Sequence, residues 1–298
     1  MKILITGITG FVGRRLGPFL SDTDEIAVIC RHSSPVCLPN KFRIIEGNLR
    51  DPSSWSDSLK AFRPDICVHL AWEGIPDFGF EMSRDNLEQG TALFRFLVQE
   101  CGCKKIIAMG SCLEYGQSFG ACREEVSAPV YSFFAWAKRS LCDFGMMLAQ
   151  KNDVTFIWLR SFYIYGPGQK GVSLFPTITR ALLKSETLKI RTPWDANDFI
   201  YVDDVAEAIV LTIRKEIPSG VYNLGSGMAT HVWRVCEELE KALGRTPEQA
   251  AILKASNVKQ AANFWADTSK IQTFLGWRAK ISIEAGIRQY LKTREAEG

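Results

Sequence analysis

Histidine is scarce in this chain, paired cysteines are missing, and no long apolar run interrupts it. Only His32, His69 and His231 occur among 298 residues, none near a cysteine pair at zinc-ligand spacing, so no metal site is expected. The nine cysteines are scattered, with only "CGC" at 101–103 close together. Free thiols in a reducing compartment are therefore expected, not a disulfide framework. No stretch approaches the roughly 18 apolar residues of a membrane span, and "MKILITG" runs straight into a strand pattern without the features of a secretion signal. A cytoplasmic protein that meets no membrane is expected. Charge of one sign is lacking too: 36 basic against 33 acidic residues leave a net +3. That balance gives no basic stripe to track a polyphosphate backbone, so nucleic acid is not an expected partner.

What is present is an alternation. "KILITG" (2–7), "EIAVIC" (25–30), "FRIIEG" (42–47), "DICVHLA" (65–71), "KKIIAMGS" (104–111) and "VTFIWLR" (154–160) are short, apolar and rich in β-branched residues, as buried strands are. Helical patterns such as "NLEQGTALFRFLVQEC" (86–101) and "AWAKRSLCDFGMMLAQ" (135–150) lie between them. This βαβ rhythm predicts an α/β protein, a Rossmann-type doubly wound parallel sheet covered by helices on both faces. After residue 161 the rhythm loosens, returning at "DFIYV" (198–202) and ending in short helices. Residues 1–161 plus about 193–216 are thus assigned to a dinucleotide-binding domain, and about 162–192 plus 217–298 to a smaller C-terminal α/β substrate lobe. "YVDDVAEAI" offers Asp203 and Asp204 as caps for a helix starting near Val205.

The strongest chemical signal is "TGITGFVGRRL" at the end of the first strand pattern. Gly7, Gly10 and Gly13 form G-x-x-G-x-x-G at an expected strand-to-helix turn. Such glycines admit a tight bend, bring backbone N–H groups against a pyrophosphate and let helix and strand pack closely. The end of the second strand bears on which dinucleotide binds. An acid there would hold a ribose 2′-hydroxyl, but "CRHSS" offers Arg31 with Ser33 and Ser34, suited to a 2′-phosphate. NADP(H) is favoured, with NAD possible. Asn48 in "EGNLRD" offers an amide to an adenine edge.

Taken in order, "TGITGFVG", "HLAW" (69–72), "NLEQGT" (86–91), "GSCLEYG" (110–116), "LRSFYIYGPGQ" (159–169), "DFIYVDDVAEA" (198–208), "YNLGSG" (222–227) and "LGW" (275–277) resemble the extended short-chain dehydrogenase/reductases that act on nucleotide sugars. The resemblance covers essentially the whole chain. It implies an NAD(P) Rossmann domain, a nucleotide-diphosphate-sugar substrate, a Ser/Thr, Tyr, Lys triad and a homodimer paired through two helices per subunit. By resemblance, Thr9, Phe11, Val12, Leu49, Leu70 and Ala71 complete the coenzyme site. Ser111 matches the serine, and Lys138 the lysine that holds the nicotinamide ribose and lowers the phenol pKa. Trp72, Tyr163, Val172, Phe175, Arg180, Arg191 and Lys259 are the further substrate candidates. Tyr163 stands where the family has an asparagine, and Asn197 where many relatives have an arginine.

Phe134 occupies the tyrosine's position, four residues before Lys138, and a phenyl ring exchanges no proton. Three accounts are open. The first is an engineered Tyr-to-Phe variant, inactive by design. The second is a natural enzyme in which Tyr131, Tyr115, Tyr163 or water supplies the proton. The third, of another class, is a non-catalytic binder of dinucleotide and nucleotide sugar. The family's 4,6-dehydratases follow the Ser/Thr with Asp-Glu; here Cys112 and Leu113 stand there, which disfavours dehydration. Cysteine-dependent 3,5-epimerase/reductases would carry their acid where Leu113 is. A 4-ketoreductase of a nucleotide-linked 4-keto-6-deoxyhexose, using NADPH, and a 4-epimerase, using tightly held NAD, remain, and Arg31 favours reduction.

Overall fold

The computed structural model describes residues 1–31, 42–126, 128–256 and 262–297, with side chains as far as residue 293. Ser33, Ser34 and Lys259 fall outside them. The strands are β1 (Lys2–Thr6), β2 (Glu25–Cys30), β3 (Phe42–Glu46), β4 (Ile66–His69), β5 (Lys105–Ser111), β6 (Gly120–Cys122), β7 (Thr155–Ser161), β8 (Tyr163–Tyr165), β9 (Ala196–Tyr201), β10 (Gly220–Leu224), β11 (Ala229–His231) and β12 (Asn263–Ala266). The helices are α1 (Ser56–Phe62), α2 (Phe80–Phe96), α3 (Phe133–Asn152), α4 (Leu174–Leu183), α5 (Val202–Arg214), α6 (Val232–Ala242), α7 (Glu248–Ala255), α8 (Ser269–Leu275) and α9 (Ile283–Glu297).

A seven-stranded sheet runs β10-β7-β5-β4-β1-β2-β3, every neighbouring pair parallel. The fold is Rossmann-like. Strands buried on both faces need apolar residues at every position, which is why the strand patterns read as continuous runs and not as alternation. Ile3 and Ile5 pack in one core with Val205, Ala208 and Ile209 of α5. Leu4 faces the other, with Leu93 and Phe94 of α2 and Leu141 of α3. Chain order reverses beside β1, where β2 lies on one side and β4 on the other, and the carboxyl ends of the strands splay there into a crevice.

The six strand patterns all form strands of this sheet. Four details differ from the sequence reading. No α-helix follows the glycine turn: Gly13–Arg15 and Gly17–Phe19 make two short 3-10 turns, because Pro18 has no N–H to continue a helical ladder. β10 is the seventh strand of the main sheet, although residues from 217 were assigned to the lobe. β9, assigned to the dinucleotide domain, instead belongs to a second sheet, β11-β9-β12-β6, with β8 also paired to β9. Nor do Asp203 and Asp204 cap α5. Asp203 takes both hydrogen bonds of a bidentate Arg15 pair, at 2.6 and 2.8 Å, and Asp204 accepts the N–H groups of Lys280 and Ile281.

Candidate functional site

The crevice is a cleft of about 410 Å³, lined among others by Gly7, Thr9, Gly10, Arg31, Asn48, Leu49, Leu70, Ala71 and Trp72. Nine of the residues expected to hold coenzyme or substrate therefore meet there. Gly7 has φ +74°, and a Cβ on it would lie 2.6 Å from Ala71 N, so only glycine lets β1 turn this close to β4. Trp72 Nε1 and Gln89 Nε2, of two lining residues, are buried donors without a partner among the described residues. Buried donors of that kind call for an acceptor, and a dinucleotide fits both them and the glycine turn. Asn48 Oδ1 accepts the Arg50 N–H at 3.1 Å, leaving its amide N–H₂ for an adenine edge.

His69 forms part of the cleft wall but belongs to the core. The Thr6 hydroxyl lies 2.8 Å from its Nδ1 and accepts the Ala71 N–H at 3.4 Å. Burial, with the Lys138 charge adding to it, pushes the imidazole down to about 3. The folded state thus refuses a proton that the unfolded chain accepts near its ordinary value of about 6.5. Stability from this group is whole above that value and is lost as pH falls towards 3. By pH 5 it should have dropped by about 2 kcal/mol. Denaturant titrations at pH 7 and pH 5 check this, and His69→Leu is expected to flatten the slope.

Ser111 ends β5 and opens a single turn, Cys112–Tyr115, whose Leu113 N–H it accepts at 3.2 Å. Its hydroxyl proton remains available to a ligand. The turn is anchored by Glu114, which accepts the Ser111 N–H at 2.7 Å, the Trp158 indole at 3.1 Å and Arg160 Nε at 3.0 Å. Burial raises the Glu114 pKa, opposed by Arg160. One α3 turn after Phe134, buried Lys138 donates to Met109 O at 2.7 Å and lies 3.8 Å above the Trp72 ring. Burial pushes its ammonium down to about 7, with Glu114 opposing. Phe134 is buried against Phe78 and Trp72, at centroid distances of 4.7 and 5.4 Å. Phe134 and Lys138 thus pack against Trp72 of the cleft wall, and neither they nor Ser111 line the cleft itself.

The second-lobe candidates do not converge. Phe175 is 1% exposed and stacks on Tyr165 at 4.2 Å; it is core, since the first turn of α4 faces the second sheet and not the cleft. Val172 is 71% exposed, Arg180 donates to the nearby Gly171 O, and Arg191 is exposed. Tyr163 packs with Phe199 and Phe264. Phe11 and Val12 sit beside the cleft but are not part of its wall, and Val12 packs on the core. Several lining residues escaped the sequence reading, Glu73, Asn86, Gln89 and Lys170 among them. "NLEQGT" pointed at Asn86, but nothing local ties Glu73 to a site formed by β2 and β3.

Glycine turn, crevice and strand order together define a Rossmann-type dinucleotide-binding protein. The sequence model of the NAD dependent epimerase/dehydratase family matches residues 3–225. The chain belongs to that family, within the extended short-chain dehydrogenase/reductases. It is 28% identical to the dTDP-L-rhamnose 4-epimerase of Burkholderia thailandensis, covering 96% of this chain and 93% of that protein. It is 22% identical to the dTDP-6-deoxy-L-talose 4-dehydrogenase (NAD(P)(+)) of Kitasatospora kifunensis, covering 97% and 94%. Its fold is similar to that of a tyrosine-to-phenylalanine mutant of Bacillus cereus UDP-glucuronic acid 4-epimerase, solved with UDP-4-deoxy-4-fluoro-glucuronic acid and NAD. That match has a TM-score of 0.83 at 21% identity and covers both chains completely.

Proposed function

We propose that this chain is an NADP(H)-dependent nucleotide-sugar oxidoreductase that reduces the 4-keto group of a nucleotide-linked 4-keto-6-deoxyhexose. The reading is carried by one observation: Ser111 ends β5 and Lys138 donates to Met109 O of the same strand, while Trp72, on which Lys138 packs, lines a cleft that also holds the glycine turn and Arg31. A bound coenzyme supplies the hydride. Ser111 would donate a hydrogen bond to the ketone oxygen and stabilise it as negative charge develops, keeping its own proton. By the resemblance Lys138 would hold the ribose, which here requires the Trp72 ring above it to turn aside. Dehydration lacks its acid, since Cys112 is 4% exposed and burial drives its thiol far up, while Glu114 is spent on Arg160. Phe134 leaves the alkoxide without its proton donor, so turnover is slow. Exposed Phe80, Phe133 and Trp136 at the starts of α2 and α3 suit the homodimer, which sedimentation reads directly.

An NAD-dependent 4-epimerase is the second reading, favoured by the Glu73 carboxylate held against Arg31 at 3.0 Å. Single turnovers with coenzyme deuterated at the transferred position separate the two. A reductase leaves deuterium at C4 and one equivalent of oxidised coenzyme. An epimerase shows no net oxidation. Failure of any transfer, in this chain and in Phe134→Tyr, would leave the binding protein.

A further inference from the structure

We infer that Glu73 sets the coenzyme choice of this protein, by competing with the 2′-phosphate for Arg31. The inference rests on the dinucleotide reading above and goes past the rule that the end of β2 decides. Arg31, just past β2, has a side chain 65% exposed, and its Nη1 donates to Glu73 Oε1 at 3.0 Å. Glu73 comes from the loop after β4, and both residues line the cleft. The second Glu73 oxygen takes Arg50 Nη2 at 3.2 Å, and Arg50 Nη1 reaches Asp85 at 3.3 Å. Arg31, Glu73, Arg50 and Asp85 therefore form a continuous ion-pair chain, which Arg84 extends along α2 at 2.9 Å from Asp85.

Glu73 is held at the rim by its backbone. Buried Asn86 accepts the Glu73 N–H at 2.7 Å and donates to its carbonyl at 3.1 Å. The backbone is thereby fixed, and the carboxylate stands beside Arg31 when a ligand enters the cleft. A phosphomonoester carries a charge of about −1.5 to −2, and a free guanidinium would take it with two parallel hydrogen bonds. Here one edge of Arg31 is already given to a carboxylate, so the phosphate must displace that carboxylate or sit against a like charge. A ribose 2′-hydroxyl meets no such obstacle, because it can donate to Glu73. The acid that favours NAD thus reaches the site from β4, while the base that favours NADP comes from β2. The protein is expected to accept both coenzymes.

The test is titration of the purified protein with NADPH and with NADH, followed by coenzyme fluorescence. Glu73→Gln should raise the preference for NADPH over NADH about tenfold, equivalent to about 1.4 kcal/mol, while Glu73→Asp keeps the ratio near that of the parent. Arg31→Gln, an exposed change that leaves the fold intact, should lose the NADPH preference and so tests the same competition from its other side. A ratio unchanged within about twofold in Glu73→Gln, with both coenzymes still bound, overturns the assignment whether or not Arg31→Gln shifts it. If the parent binds neither coenzyme, the dinucleotide reading itself falls and takes this inference with it.

Discussion

Phe134→Tyr is expected to raise the rate of NADPH oxidation with a nucleotide-linked 4-keto sugar by about 100-fold to 10,000-fold, the contribution of a positioned general acid. The surroundings of the ring already suit a phenol. Lys138 Nζ stands 5.9 Å from the Phe134 centroid, close enough for its charge to favour phenolate over phenol. No other tyrosine is placed to stand in. The Tyr115 hydroxyl is 2.7 Å from Asn223 Oδ1 and donates to it, and burial pushes that phenol up to about 12. Tyr131 is 69% exposed, outside the aromatic cluster that buries Phe134. Tyr163 packs on Phe199 and Phe264 of the second sheet, outside the aromatic cluster that buries Phe134. Steady-state assays of both proteins at equal coenzyme saturation check the result. A large gain means that the site is built for tyrosine. Equal rates would mean that water already delivers the proton. Coenzyme binding without turnover in either protein would mark a binder.

Gly13→Ala is expected to abolish coenzyme binding and to destabilise the fold by about 3 kcal/mol or more, the scale of severe overpacking. A Cβ on Gly13 would lie 2.2 Å from Gly7 O and 2.6 Å from Ile8 Cα. Both are backbone atoms of the turn, so no side chain can rotate aside. The turn must open, and the crevice with it. Gly10→Ala is the control: its Cβ would meet only Gly7 O, at 3.1 Å, so the fold should survive with a weaker coenzyme site. Thermal melts with and without coenzyme separate the two effects. Equal melting temperatures for Gly13→Ala and the parent would show that the turn is looser than these distances require.

How much of this was legible from residues alone depends on how local each cause is. The six strand patterns of the main sheet were readable because a doubly buried strand needs apolar side chains at every position. The glycine turn was readable because its demands fall within seven residues. β10 was missed because "GVYNL" is short and takes its place only by pairing with β7, more than sixty residues earlier. Phe175 looked like a pocket residue, yet α4 turns it onto Tyr165, and helix orientation comes from packing, not from motif. Glu73 was invisible because the residue it meets, Arg31, lies 42 positions away.

By itself, the order of residues determined the fold class and the glycine turn, which follow from periodicity and short spacing, while Ser111, Lys138 and the missing hydroxyl at Phe134 were read from the resemblance to a family. Only the tertiary structure decided which lobe β9 and β10 join, that Trp72 separates Lys138 from the cleft, and that a carboxylate from β4 shares the arginine of β2. These depend on contacts between segments far apart in the chain, where burial and charge are settled by whatever the fold brings alongside.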